Sequence, residues 1–156
     1  MKRFALLASI ALLTWPCVAS AEECTKRVAV MFGCIEVPCS HRVVQTGGHV
    51  DYWIGSVTPE TGAWTATISG GTSKMLSEED NYGEVIWMRY IEEGRADRVG
   101  VVRYEGAELL VLSTTWFEYS VPADTESGPE ILARLAAGFS HDRTACVAAE
   151  RSGESE

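Results

Sequence analysis

Two shortages in this sequence each close off a class of function: it has no long apolar run after its first residues and little positive charge. Beyond residue 21 no segment approaches the roughly 20 apolar residues that a bilayer-spanning helix needs, so no membrane insertion is expected. Thirteen Lys and Arg face 22 Asp and Glu, a formal charge of −9. Such a surface repels nucleic-acid phosphates and anionic membranes, which excludes both as expected partners. No two cysteines are separated by only two residues, which argues against a redox pair. Ser56 follows Gly55 but lacks the second glycine of a nucleophile elbow, and no phosphate-cradling glycine motif is present.

What is present begins at the N-terminus. Lys2 and Arg3 precede an apolar stretch over residues 4–13, and Ala19, Ser20 and Ala21 form a small-residue cleavage site ahead of Glu22. Together these predict a secretory signal peptide over residues 1–21. A lipid anchor is not expected, because Trp15 and Pro16 precede Cys17, and Glu22 and Glu23 precede Cys24, where lipoprotein signals carry small residues. Cleavage would leave 11 basic against 22 acidic residues, a formal charge of −11, and would remove Cys17 from the five cysteines. The remaining Cys24, Cys34, Cys39 and Cys146 predict two disulfides in a periplasmic or secreted chain. Three pairings are open. Cys146 lies beyond the predicted helix and has to reach back, with Cys24 or Cys34 as the preferred partner. Cys34, Cys39 and His41 could ligate zinc, but their spacing is not that of a ribbon or finger. In an oxidising compartment disulfides are the expectation, with no metal and no cofactor.

Residues 22–147 read as a single α+β domain, and residues 148–156 as a disordered tail. The expected fold is a mostly antiparallel sheet of about six to seven strands, covered by one C-terminal helix and braced by disulfides. Strand signals cover residues 27–37, 41–45, 50–57, 64–68, 84–91, 98–104 and 108–117. Trp64, Ala66 and Ile68 alternate with threonines, the pattern of a half-buried strand. Proline early and glycine late in residues 58–62 predict a tight reversal. The last three runs, joined by short glycine-bearing turns, predict a meander whose strand at 109–112 is apolar on both faces and central. Ser127, Pro129 and Glu130 have the spacing of a capping box, and Ile131, Leu132, Leu135, Ala136 and Phe139 form one helical stripe.

Candidate chemistry is sparse. His49 and Asp51 would share one face of a regular strand and could form a metal or acid–base pair, although no third partner is identifiable. His141 sits just past the predicted helix, where it would complement the dipole. Glu78, Glu79 and Asp80 form an acidic loop without the alternation of a calcium site. Tyr52 and Trp53 must point to opposite faces of a strand, so one of them is a candidate exposed ring in an aromatic-rich sheet. No motif is specific enough to name a family. The missing catalytic constellation, the bracing, the acidity and the spare aromatics predict a non-catalytic binding module for a protein or envelope component. Tyr52, Trp53, Glu78, Glu79 and Asp80 are its candidate contacts. Opposite charge would favour a cationic protein, and an inhibitor of a cationic enzyme is the concrete form. The alternatives are a small exported enzyme or metal-binding protein using His49 and Asp51, and a structural subunit of an envelope assembly.

Overall fold

A computed structural model of the chain describes residues 24–71, 74–76, 83–92 and 97–152. The predicted signal peptide and the acidic run 78–80 lie outside them. The chain opens with β1 (Thr25–Val30) and β2 (Gly33–Pro38), an antiparallel hairpin whose two-residue turn is Met31 and Phe32. Next come β3 (Arg42–His49), β4 (Tyr52–Thr58) and β5 (Ala66–Gly71), an antiparallel meander in which β4 pairs with both neighbours. A second meander follows: β6 (Glu84–Tyr90), β7 (Arg98–Tyr104), β8 (Ala107–Ser113) and β9 (Phe117–Pro122). The helix α1 (Gly128–Ala137) leads into two short strands, β10 (Phe139–Ser140) and β11 (Glu150–Arg151).

These elements form two layers. β5 pairs with β9, which fuses the two meanders into one eight-stranded sheet in the order β11-β3-β4-β5-β9-β8-β7-β6. β1, β2 and β10 make a three-stranded sheet, and α1 packs on β2, β8 and β9. The main core lies where this small sheet and the helix meet the inner face of the long sheet. Val28, Ile35, Val57, Ile68, Tyr119 and Leu132 meet there. Trp53 and Phe117 lie over Gly55 and Gly70, where any Cβ would collide with their rings, so both positions need glycine to let the aromatics fill the layer.

The mostly β architecture with one C-terminal helix and two disulfides agrees with expectation, and β8 is the central apolar strand that residues 109–112 predicted. The strand count does not agree: the described residues form eleven strands rather than six or seven. Residues 27–37 were expected as one strand but turn at Phe32, which takes a left-handed φ of 64° without being glycine. Residues 108–117 also contain a turn, closed by the Thr114 amide and hydroxyl donating to the Phe117 carbonyl at 2.8 and 3.0 Å. The remaining two strands are pairs of residues whose ladders need distant partners. β11 lies in the segment expected to be disordered, and it runs parallel to β3 through Val44 and Gln45.

The helix also differs at both ends. Ser127 makes no side-chain cap hydrogen bond and adopts a left-handed φ of 56°, so no capping box forms. Its carbonyl instead accepts the Ile131 amide at 3.0 Å. At the other end the helix stops at Ala137, and Phe139 pairs with Ile35 in the small sheet rather than completing the helical stripe.

The disulfides are Cys24–Cys39 and Cys34–Cys146, with Cα separations of 5.4 and 6.2 Å. Both therefore bind the three-stranded layer, and neither Cys34 nor Cys39 is available as a zinc ligand. The second fixes the C-terminal segment. Its Val147 amide donates to Arg27 and its Val147 carbonyl accepts from Ala29, both at 2.8 Å. No helix among the described residues is long and apolar enough to cross a membrane.

Candidate functional site

His49 and Asp51 do not share a strand face. His49 ends β3, Tyr52 begins β4, and Asp51 belongs to the turn between them. The regular alternation that would have aligned the pair is interrupted by the hairpin. Among the described residues no group of three His, Cys, Asp or Glu could hold a metal ion. Trp53 is buried at 6 % exposure in the core, whereas Tyr52 is 40 % exposed with its ring 5.4 Å from that of His49. Other large apolar side chains reach solvent at the sheet edge, where Ile86, Trp87 and Tyr90 of β6 are exposed, and at two turns, where the Phe32 and Trp116 rings stand 6.0 Å apart.

A depression with an apolar centre lies elsewhere, around Trp64. The reversal predicted at residues 58–62 is present: the Gly62 amide donates to the Pro59 carbonyl at 2.8 Å, and Gly62 takes a φ of 66°. This turn projects Trp64 between the start of α1 and the end of β2. Its ring lies 5.4 Å from that of His41, which the Cys24–Cys39 disulfide and a 2.9 Å bond from the His41 amide to the Pro38 carbonyl hold in place. The cavity, of about 330 Å³, is lined by Trp64, His41, two prolines, Ile131 and Leu135, with Glu36, Glu130 and Arg134 among them.

Two shallower depressions share its walls. One meets it at Trp64 and Ile131 and adds Asp124 and Glu126. The other meets it at His41 and Pro59 and adds Lys26, Arg42, Glu60 and Glu150. The three form a groove with an aromatic and apolar centre. Carboxylates from Glu36, Glu60, Asp124, Glu126, Glu130 and Glu150 outnumber the cations of Lys26, Arg42 and Arg134 along it. Two of these acids are compensated in part. Arg27 donates to Glu36 at 3.4 Å, and Arg42 pairs with Glu150. Both pairs are exposed and contribute little to stability.

Sequence reasoning singled out Trp64 as a strand residue but not as a site. The signal was the proline-to-glycine turn immediately before it, which lifts the ring out of the strand. The acids around it come from four stretches of chain, at residues 36, 60, 124–130 and 150, and no local motif joins those stretches. Glu78, Glu79 and Asp80 lie outside the described residues.

A further charged group is structural. Glu118 is buried on the outer face of the long sheet, and its carboxylate accepts the amides of Met75 and Leu76 at 2.6 and 2.9 Å. Lys74 donates to the carbonyls of Thr114 and Thr115, and burial holds its ammonium below the usual range, with Glu118 pulling the other way. This network fastens residues 74–76 to the sheet and seats Leu76 against Val102 and Val111.

Compared with protein-family models, with curated proteins and with solved structures, the chain matches none.

Proposed function

We propose that this chain is a non-catalytic binding module of the periplasm or extracellular space. Its ligand is a cationic segment of a protein or envelope component, held in the groove around Trp64, and inhibition of a cationic enzyme is the concrete form. The observation that carries the reading is the excess of carboxylates around an aromatic, apolar centre. An indole face attracts a lysine or arginine head, prolines and leucine accept its aliphatic stem, and the surrounding acids steer a cationic partner into encounter. The Cys24–Cys39 disulfide at the groove's edge keeps it formed before binding, which lowers the ordering cost.

The test titrates the oxidised protein against lysozyme and against an arginine-rich peptide, at low and then moderate salt. Saturable binding is expected that weakens with salt and falls about tenfold or more in Trp64→Ala, the loss of a buried aromatic contact. Absence of binding at low salt, or binding that Trp64→Ala leaves unchanged, would overturn the reading.

A further inference from the structure

A second pocket, which shares no lining residue with that groove, carries the reverse charge. About 270 Å³ in volume, it opens at the end of the β3–β4 hairpin, lined by Gln45, His49 and Tyr52 from the hairpin and by Arg143 and Arg151 from the C-terminal segment. No Asp or Glu is among the described residues that line it. In a chain where acidic residues outnumber basic ones 22 to 13, a pocket whose described lining holds two arginines, a histidine and no acid departs from the general field.

The backbone explains how the charges are sorted. Strand alternation sends the two side chains of β11 to opposite faces of the sheet. Glu150 sits beside Val44 on the outer face, where it pairs with Arg42, and Arg151 sits beside Gln45 on the pocket side. Asp142, next to Arg143 in sequence, turns its carboxylate to the Thr144 amide and hydroxyl at 2.9 and 2.7 Å, which holds it below the usual carboxylate range. Neither Arg143 nor Arg151 forms an ion pair with a described residue. Both lie on a segment fixed by the Cys34–Cys146 disulfide, the Val147 bridge to β1 and the β11 ladder, so the two cations are held in place together.

We propose that this pocket binds a small oxyanion, a carboxylate or a phosphate group. Guanidinium forks match the planar or tetrahedral oxygens of such groups in bidentate fashion, and the imidazole of His49 and the hydroxyl of Tyr52 complete a donor set. The site is separate from the acidic groove and does not depend on it.

The test is calorimetric titration of the oxidised protein with inorganic phosphate and with succinate at low salt. Saturable binding of either anion is expected, weakened at least about tenfold in both Arg143→Gln and Arg151→Gln and unchanged in Arg89→Gln, an exposed arginine of β6 at the far edge of the long sheet. The tighter of the two probes identifies the oxyanion. The proposal is overturned if neither anion binds saturably, or if the pocket variants bind as Arg89→Gln does. Both pocket arginines are exposed, so these variants should keep the wild-type unfolding midpoint, which shows that any lost binding is not lost folding.

Discussion

Strands β4 and β5 lie beneath a layer that sulfur cross-links twice, whereas β6 and β7 stand at the far edge of the same sheet with no disulfide near them. On the first flank aromatic rings over glycines fill a core enclosed by the small sheet and the helix. On the second, a smaller cluster is closed by Leu76, held down by two amides bonded to Glu118 and by Arg98 donating to the Leu76 carbonyl at 3.0 Å. Beyond that plug, β6 exposes Ile86, Trp87 and Tyr90, and a register irregularity between Val85 and Trp87 interrupts its ladder. Such a bulge twists an edge strand away from pairing with other chains. The two flanks show that one sheet can be stabilised covalently at one end and by a single buried carboxylate at the other.

The largest effect that would break this contrast is removal of the long disulfide. Cys34 and Cys146 are 112 residues apart in sequence, and replacing both with alanine should cost about 5 kcal/mol in the chain-entropy model. The urea midpoint of the oxidised variant measures it; a loss below about 1 kcal/mol would mean that packing, not sulfur, holds the first flank.

Leu76→Ala comes next. The residue is 1 % exposed, and deleting its side chain should cost about 3 kcal/mol. Native-state hydrogen exchange sharpens the comparison: amides of β7 and β8 should exchange faster while those of β4 and β5 keep their protection. Uniform acceleration would show a single cooperative unit.

Tyr119 gives the smallest effect and lies at the seam, between Ile68 of β5 and Leu112 of β8. Burial pushes its hydroxyl well above the ordinary value of 10.0. The unfolded chain therefore loses this proton first. The native state's advantage is complete below pH 10 and is lost as pH rises above it toward the folded value. Lys74, with its value lowered by burial, slopes the other way in the alkaline range, so the comparison is made with Tyr119→Phe. Above pH 10 wild type should lose stability relative to that variant, and parallel pH profiles would count against a buried, protonated phenol.

Much of the first flank could be read from residues alone. Ala66 and Ile68 are both fully buried, as their alternation with threonines required, and Leu109 to Leu112 occupy a strand with neighbours on both sides. The turn before Trp64 was legible because proline and glycine fix opposite signs of φ. The turn at Phe32 was not, because a non-glycine residue takes the left-handed region there. Nor was the basic pocket, because Tyr52 and Arg151 are brought together across almost 100 residues of chain by a two-residue ladder. Local pattern carries no information about such a pairing.

By itself, then, the sequence determined the periodicities, the strong turns, the net acidity and the presence of cysteines suited to bracing. Each of these follows from neighbouring residues or from composition. The tertiary structure alone decided how many strands form, that Trp53 faces the core while Tyr52 faces out, which cysteines pair, and that Glu150 and Arg151 serve opposite faces. Those outcomes depend on register between distant segments, where a shift of one residue reverses every side chain.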